Sequence, residues 1–441
     1  MTHMSQLLTQ ILSKENMMTA FTKVCANKGS AGVDGITITD IGMYLHKNWR
    51  MIKSQILARK YKPQPVLRGE IPKPQGGKRN LGIPTVVDRI IQQAIVQVIT
   101  PLCEPHFQET SYGFRPNRSC EMAILKLLDY LNDGYTWIVD IDLEKFFDNV
   151  PQDRLMSYVH NLINDGDTES LIRKYLQAGV MIQGKYHDTP VGAPQGGNLS
   201  PLLSNIMLNE LDKELMARGL HFVRYADDCV ITVGSRASAI RVMHSVTRYI
   251  EKRLGLKVNA SKTKITKPTS LKYLGFGFWY QPKINQWVSR PHQDSVKRFK
   301  EKLKLLTSRK HSIDLGMRNQ RLNWLIRGWI NYFRIGVMKT ALTNIDKHLR
   351  TRLRVIIWKQ WKSKAKRRWG LLKLGVPRWL ADKVSGWGNH YQLVAHKSVL
   401  KRAISKPILT KRGLVSCLDY YMERHAKVNG TAVCRTARTA V

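Results

Sequence analysis

The stretch Phe222-Val-Arg-Tyr-Ala-Asp-Asp-Cys-Val-Ile-Thr-Val233 places two adjacent carboxylates between two apolar runs. Short apolar runs of this kind are typical of buried strands, and a polar break between them is typical of a turn. The pattern predicts a strand-turn-strand hairpin with Asp227 and Asp228 at its tip. A further run, Trp137-Ile-Val-Asp-Ile-Asp142, predicts another buried strand that ends in an aspartate.

Carboxylates in buried strands require an explanation, because an unpaired buried charge is unfavourable. Asp142, Asp227 and Asp228 could together hold two divalent cations, as phosphoryl transfer to a hydroxyl group requires. They could equally be strand-end residues that pair with some of the many lysines and arginines. The residues alone leave both interpretations open.

The charge balance indicates a polyanionic partner. The chain has 72 Lys and Arg against 32 Asp and Glu, which gives a formal net charge of +40. Between Lys297 and Lys373 there are 23 basic residues against three acidic ones, on a segment with helical spacing of apolar residues. This segment is predicted to be a helical module that faces nucleic acid.

Several classes of protein are disfavoured by the sequence. No apolar run is long enough for a spanning helix, and the first 20 residues are interrupted by polar side chains. The six cysteines form no CxxC pair, which disfavours a zinc ribbon and a disulfide framework. We therefore expect no membrane partner and a cytoplasmic protein, associated with the nucleoid when it is bound to DNA.

Two further elements are predicted between residues 63 and 98. The Gly- and Pro-rich segment 63–84 is typical of a hairpin. Apolar residues at helical spacing follow it, from Ile90 to Val98, and Asp88 is a candidate cap for that helix.

A series of motifs, taken in order, gives the chain a family resemblance. Tyr225-Ala-Asp-Asp228 matches the YxDD box of reverse transcriptases. Six other boxes accompany it: Ile71-Pro-Lys-Pro-Gln-Gly-Gly-Lys-Arg-Asn-Leu-Gly-Ile-Pro84, Ser111-Tyr-Gly-Phe-Arg-Pro116, Asp142-Leu-Glu-Lys-Phe-Phe-Asp148, Gly192-Ala-Pro-Gln-Gly-Gly-Asn-Leu-Ser-Pro201, Gly255-Leu-Lys-Val-Asn259 with Lys262, and Leu271-Lys-Tyr-Leu-Gly-Phe-Gly-Phe278. Over nearly its whole length the chain resembles group II intron-encoded reverse transcriptases, or maturases, of the bacterial class C type.

The resemblance implies an α+β multi-domain fold of the right-hand polymerase type. Fingers and palm with an antiparallel sheet would occupy residues 1–290, with an N-terminal extension over about residues 1–60. An α-helical thumb, or maturase (X) domain, would follow over 291–375, because Arg321–Arg334 is similar to its signature. Residues 376–441 would form a small DNA-binding module without an endonuclease.

The family pattern also selects the metal ligands. Its first carboxylate is followed five places later by an aromatic residue, which favours Asp142, with Phe147 at that offset, over Asp140, with Lys145. Together with the two aspartates of the YxDD box, Asp142 would hold two Mg²⁺ ions, for which Mn²⁺ is a possible substitute.

Lys73, Arg79 and Arg115 match residues that contact the incoming nucleotide in the family. The first two would hold the triphosphate, which suits one point charge and one planar guanidinium. Arg115 would line the nucleotide and template pocket. Lys78 is a nearby competitor for this role, and a solvated hairpin is the alternative for Lys73 and Arg79.

Three more positions match residues around the nascent base pair. Phe147 would be a steric gate against the ribose 2′-hydroxyl, Gln195 would lie beside the template, and Lys262 would give a proton to departing pyrophosphate. The alternatives are core packing for Phe147, a simple turn around Gln195, and a surface salt bridge for Lys262.

The implied function is an RNA-directed DNA polymerase that also binds its group II intron RNA and assists splicing and mobility. Its partners would be that intron RNA, an RNA template with a DNA primer, target DNA and dNTPs; the sequence does not define the oligomeric state. Two alternatives stay open. One is an RNA-binding splicing cofactor with a silent polymerase site, and the other is a retron, CRISPR-associated or diversity-generating reverse transcriptase.

Overall fold

The computed structural model describes residues 5–72, 76–310 and 313–436, together with their side chains except those of Arg79 and of residues 428–436. Contacts between residues divide the chain into two compact units, Met1–Lys267 and Pro268–Val441. The first unit mixes helices and strands, and the second is mostly helical. The domain bounds expected from the sequence remain a prediction.

The first unit contains eight strands and ten α-helices within the described ranges. The strands are β1 (Val66–Pro72), β2 (Lys78–Ile83), β3 (Trp137–Ile141), β4 (Val180–Ile182), β5 (Lys185–His187), β6 (His221–Tyr225), β7 (Asp228–Val233) and β8 (Lys264–Thr266). The helices are α1 (Gln6–Ile11), α2 (Lys14–Ala26), α3 (Ile41–Leu57), α4 (Val86–Cys103), α5 (Cys120–Asn132), α6 (Phe146–Asn149), α7 (Gln152–Ile163), α8 (Gly166–Leu176), α9 (Ser200–Ala217) and α10 (Arg236–Tyr249).

Two four-stranded sheets organise this unit. The N-terminal sheet has the order β2-β1-β4-β5, and β1 and β2 form the hairpin expected from the Gly- and Pro-rich segment. Its β1–β4 pair is parallel, and its other pairs are antiparallel. The central sheet has the order β6-β7-β3-β8, and all of its pairs are antiparallel. The expected strands and the antiparallel sheet are confirmed.

Helix α4 is the apolar centre of the first unit and packs against α2, α7 and α9. Its cap is Thr85, whose hydroxyl accepts a hydrogen bond from the Asp88 N–H at 3.1 Å. The prediction that Asp88 caps the helix is wrong, because Asp88 lies in the first turn with its carboxylate buried beneath Tyr61. Within the described ranges, Val86–His106 is the one helical segment long and apolar enough to cross a membrane, although no such helix was expected from the sequence, because polar residues interrupt its apolar run. Of its most apolar stretch, 67% is buried, as in the core of this unit.

The second unit starts with a hairpin and continues as helices. The hairpin strands are β9 (Phe276–Gln281) and β10 (Gln286–Pro291). The helices that follow are α11 (Gln293–Leu306), α12 (Leu315–Phe333), α13 (Lys339–Gln360), α14 (Lys364–Lys373), α15 (Arg378–Ser385), α16 (Tyr391–His396), α17 (Ser398–Ala403), α18 (Lys406–Lys411) and α19 (Cys417–Thr436).

The apolar stripes predicted for the basic segment form the contact between α11 and α12. Phe299 and Ile330 are buried, and the rings of Phe299 and Trp329 stack with centroids 4.4 Å apart. Burial of one such aromatic side chain stabilises the fold by about 1.5–3 kcal/mol. The basic residues are left mainly on the outer faces of these helices, as amphipathic spacing requires.

Candidate active site

The register of the central sheet brings two of the predicted aspartates to adjoining strand ends. Strand β3 pairs with β7 so that Ile141 lies opposite Cys229. Asp142 follows directly after β3, and Asp228 is the first residue of β7. Because side chains alternate along a strand, residues one step beyond a paired position emerge together at the sheet edge. Two aspartates 86 positions apart in the sequence therefore lie at one edge of the sheet.

The turn between β6 and β7 carries the third aspartate. Tyr225 pairs with Asp228, which leaves Ala226 and Asp227 as the two turn residues. Ala226 has φ +57°, in the left-handed region, where a non-glycine residue costs roughly 1–2 kcal/mol. Asp227 is half-buried, whereas Asp228 is exposed. Such a strained turn persists only when its surroundings hold it.

Asp142 is fixed by the segment that precedes β8. Its carbonyl accepts a hydrogen bond from the Asn259 N–H at 2.8 Å, and its own N–H donates to the Thr263 hydroxyl at 3.1 Å. The ammonium of Lys262 lies 3.4 Å from its carboxylate. The box that contains Lys262 therefore packs on the strand end that carries Asp142.

Asp140, the competitor of Asp142, faces a different cation. Its carboxylate lies 4.0 Å from the ammonium of Lys264, which is its partner residue on β8. Burial raises the pKa of Asp140, Lys264 opposes that shift, and the nearby Asp142 adds to it. Asp140 is therefore set further inside the sheet, whereas Asp142 is at its edge.

A divalent cation would need the predicted carboxylates to gather around one point. Within the described ranges, no group of three or more His, Cys, Asp or Glu side chains is gathered as a metal cluster. The sheet thus brings together the ends of the strands, but the three predicted carboxylates do not converge on one point, and Asp142 is turned toward Lys262. The donor set still fits a hard cation, because such ions take carboxylate oxygens.

Two predicted nucleotide-binding residues, Phe147 and Gln195, line one cavity. The cavity has a volume of about 420 Å³ and lies where α6, the segment 187–195 and the N-terminal sheet meet. Phe147 is half-buried, and its ring lies edge-on to Phe146 at 5.1 Å. The carbonyl of Phe147 accepts a hydrogen bond from the Ala193 N–H at 2.7 Å, which ties the two walls of the cavity together.

Glycine is required where the segment around Gln195 meets β2. The Gly82 N–H donates to the Gln195 carbonyl at 2.6 Å. Gly196 has φ +122°, and a Cβ there would lie 2.4 Å from the Gly82 carbonyl oxygen. A side chain at this position would separate the loop from the strand, so the glycine permits the close approach that shapes the cavity.

Arg115 is placed in a buried ion pair. Its guanidinium lies 2.8 Å from a Glu104 carboxylate oxygen, donates to the Ser111 carbonyl at 2.8 Å, and lies 5.4 Å from the Phe107 ring centroid. The Arg115 side chain is only 3% exposed. The contacts made by its guanidinium are therefore internal, and its role in nucleotide binding remains a prediction.

Neither of the two residues predicted to hold the triphosphate, Lys73 and Arg79, has a described side chain. Lys73 lies outside the described residues, and the described part of Arg79 is its backbone, which pairs with Ile71 in the β1–β2 hairpin. The neighbouring Lys78 forms an ion pair with Glu70 across the hairpin, at 2.5 Å.

Other lining residues of the cavity were not anticipated from the sequence. Arg68 on β1 and Asn80 on β2 contribute polar groups, and His187 and Asp188 contribute more from the end of β5. Arg68 pairs with Gly82, which is two residues from Asn80 on β2, so Arg68 and Asn80 share one face of the hairpin. The alternation of side chains along the predicted strands could have identified that face. The residues at the end of β5 carry no comparable signal.

Two family models match the chain. The family model described as Reverse transcriptase (RNA-dependent DNA polymerase) matches residues 71–278, which include the three aspartates, Phe147 and Gln195. The fold is thus that of the reverse transcriptase class. A second model, Group II intron, maturase-specific domain, matches residues 296–375.

Curated relatives extend the match. Protein YkfC of Escherichia coli (strain K12) is 34% identical over 300 residues, which are 59% of this chain and 79% of that protein. Group II intron-encoded protein LtrA of Lactococcus lactis subsp. cremoris is 34% identical over 262 residues, 59% of this chain but 42% of LtrA. The putative COX1/OXI3 intron 2 protein of Saccharomyces cerevisiae is 28% identical over 339 residues, 63% of this chain and 39% of that protein. The chain belongs to the family of group II intron-encoded reverse transcriptases with a maturase domain.

Proposed function

We propose that the chain copies RNA into DNA by two-metal nucleotidyl transfer and also binds its group II intron RNA to assist splicing and mobility. The observation that carries the proposal is the position of Asp142 and Asp228 at one edge of the central sheet. Divalent cations are general in the reverse transcriptase family. The proposed ions are two Mg²⁺, with Mn²⁺ as a substitute, held by Asp142, Asp227 and Asp228.

The bound ions would favour deprotonation of the primer 3′-hydroxyl and neutralise charge on the triphosphate. The protein's own part is positioning. We propose that Phe147 closes the sugar side of the cavity and that Gln195 supports the nascent base pair. Lys73, Arg79 and Arg115 are proposed contacts of the nucleotide.

Lys262 is proposed to donate a proton to the departing pyrophosphate. Its ammonium already lies at the carboxylate edge, 3.4 Å from Asp142, and a general acid must be within reach of the group that it protonates.

Binding of intron RNA is supported by the charge on the second unit. A groove of about 760 Å³ between α11 and α13 is rimmed by cations, among them Arg290, Lys297, Lys300, Lys304 and Arg352. Burial, followed by the charges of Arg352 and Lys300, lowers the pKa of His348 in the same groove. Such a surface attracts phosphates in a salt-dependent manner. The thumb, or maturase, domain is proposed to span 291–375.

Target DNA is the proposed partner of the C-terminal helices. The module 376–441 begins near α15, where Trp379 is 70% exposed beside Arg378. Exposed aromatic and basic residues together suit contact with bases and phosphates. In the cell the protein is proposed to be cytoplasmic and associated with the nucleoid through this DNA.

Primer extension on an RNA template separates the polymerase from a splicing cofactor with a silent site. The purified chain is incubated with an RNA template annealed to a DNA primer, with dNTPs and Mg²⁺, and EDTA is the control. Metal-dependent DNA synthesis is expected. Tight binding of group II intron RNA without any synthesis would instead favour the cofactor.

A further inference from the structure

A buried ion pair lies directly beneath the turn that carries the aspartates. Arg224 is on β6, two residues before the turn, and its partner Asp212 is on α9. The guanidinium meets both carboxylate oxygens, with Nε at 2.7 Å and Nη2 at 2.5 Å, and the two side chains are 1% and 0% exposed. Two parallel bonds of this kind fix the plane of the guanidinium as well as its position.

The remaining nitrogen of Arg224 reaches the turn itself. Nη1 donates to the carbonyl of Ala226, the left-handed residue, at 2.9 Å, and to the Asn205 amide oxygen at 3.1 Å. The Asn205 amide nitrogen in turn donates to the Gly113 carbonyl at 2.8 Å. A chain of hydrogen bonds thus joins Asp212 through Arg224 to both the turn and the segment before α5.

Gly113 packs against the other side of the turn. A Cβ at this position would lie 2.2 Å from the Ala226 nitrogen and 3.0 Å from its Cα. The same segment is tied to β6, because the Arg224 N–H donates to the Thr110 carbonyl at 3.0 Å and the Tyr112 N–H donates to the Arg224 carbonyl at 2.9 Å. The turn is therefore held between the guanidinium and the backbone of Gly113.

A buried ion pair is not by itself evidence of a role in the active site, because it could be purely structural. Here, however, the bonds to Asn205 and Ala226 are additional to those that satisfy Asp212. A bond from a cation to the carbonyl of a left-handed residue opposes relaxation of that residue, and low local polarity strengthens the bond. The direction of the next two side chains, Asp227 and Asp228, depends on that conformation.

We propose that Arg224, Asn205 and Gly113 are positioning residues, which hold the Ala226 turn so that Asp227 and Asp228 can engage the metal ions together with Asp142. The proposal rests on the proposed two-metal function. It adds that the polymerase site depends on helix α9 and on the segment before α5, through atoms that do not contact the substrate.

Two substitutions test the proposal, each with a matched control. Asn205→Ala removes the link between Arg224 and Gly113. Its control is Asn209→Ala on the same helix, because Asn209 is also buried but donates to the His106 carbonyl, at 3.0 Å. Gly113→Ala places a methyl group too close to the backbone of Ala226 in the turn. Its control is Gly234→Ala, where a Cβ meets no atom within 4 Å.

Single-turnover primer extension separates positioning from stability. In a separate burst experiment, with primer-template in excess over the enzyme, the amplitude reports the folded, active fraction, and the single-turnover rate constant reports the geometry of the site. For Asn205→Ala and Gly113→Ala we expect rate constants roughly tenfold to hundredfold below their controls and a higher Mg²⁺ concentration at half-maximal rate. Rate constants equal to the controls, with only the amplitude reduced, would overturn the proposal.

Binding of Mn²⁺ alone, followed by electron paramagnetic resonance, gives a readout that does not need catalysis. Both test variants should bind Mn²⁺ more weakly than their controls, and equal binding would contradict the positioning role. If the wild type makes no DNA, the proposed function fails, whereas the comparison of Mn²⁺ binding still decides whether these residues position the aspartates.

Discussion

The ammonium of Lys262 lies 3.4 Å from the carboxylate of Asp142, although the two residues are 120 positions apart in the sequence. The Lys262 side chain is 62% exposed, so this contact contributes less than about 1 kcal/mol to the free energy of unfolding. Its consequence is electrostatic, because it keeps a cation at the edge where pyrophosphate would depart.

Replacement of Lys262 by Met should slow extension without unfolding the chain. Loss of a general acid lowers a rate by about a hundredfold or more, and this loss would appear in the single-turnover rate constant. Lys264→Met is the matched control, because Lys264 faces Asp140 instead. Equal rates for the two variants would remove the special role of Lys262.

Replacement of Phe147 by Val should relax the preference for deoxynucleotides. Phe147 lines the cavity and is half-buried, so a smaller side chain leaves space for a 2′-hydroxyl. The measurement is the ratio of kcat/KM for a dNTP to that for the matching rNTP. The control is Phe146→Leu, since Phe146 is only 3% exposed and should affect stability instead. An unchanged ratio for Phe147→Val would exclude a steric gate.

Replacement of Arg224 by Met should destabilise the first unit strongly. It leaves the buried Asp212 carboxylate without its ion-pair partner, which costs about 3–5 kcal/mol of unfolding free energy. The control, Arg218→Met, removes a partly exposed ion pair to Glu214 on α9, the helix that carries Asp212, and should cost below about 1 kcal/mol. Urea denaturation measures both values. A similar loss of unfolding free energy in the two variants would contradict the prediction that the buried ion pair matters more for stability than the exposed one.

The buried carboxyl of Asp88 should make stability depend on pH. Burial raises its pKa, although hydrogen bonds from Tyr61, Thr85 and the Gln64 N–H oppose the shift. A raised pKa in the folded state favours folding at low pH, and this contribution is lost as the pH rises from about 4 through the folded-state pKa.

Asp88→Asn should therefore show a smaller fall in the free energy of unfolding than the wild type as the pH rises, measured by urea denaturation at several pH values. Asp153→Asn, at an exposed carboxylate, is the control and should behave as the wild type. Parallel pH profiles for the wild type and Asp88→Asn would contradict the assignment.

The central hairpin was predictable because its information is local. Apolar runs on both sides of Asp227 and Asp228 specify two buried strands and the turn between them, and β6 and β7 have the expected places. The left-handed conformation of Ala226 was not predictable, since alanine rarely adopts it and tertiary contacts impose it here. The cap of α4 was predicted wrongly because Thr85 and Asp88 are both good N-cap residues by type, and residue type alone does not distinguish them.

Interactions between residues that are distant in the sequence account for the other features that could not be predicted. No spacing rule links Arg224 with Asp212, or Lys262 with Asp142, so the partner in each pair could not be predicted from the sequence. Arg115 illustrates the same point, because its motif suggested a substrate contact whereas Glu104 and Phe107 surround its guanidinium. Motifs selected the candidate carboxylates, and long-range packing determines how each one is held.

The most direct test of the account is single-turnover primer extension by a variant with Asp227→Asn and Asp228→Asn together. Both changes keep side-chain size and remove the charges that would hold the metal ions, so affinity for the RNA template with its DNA primer should be kept or raised. We expect no DNA product above the EDTA background while the melting temperature and RNA binding persist. Extension at the wild-type rate would contradict the assignment of these aspartates.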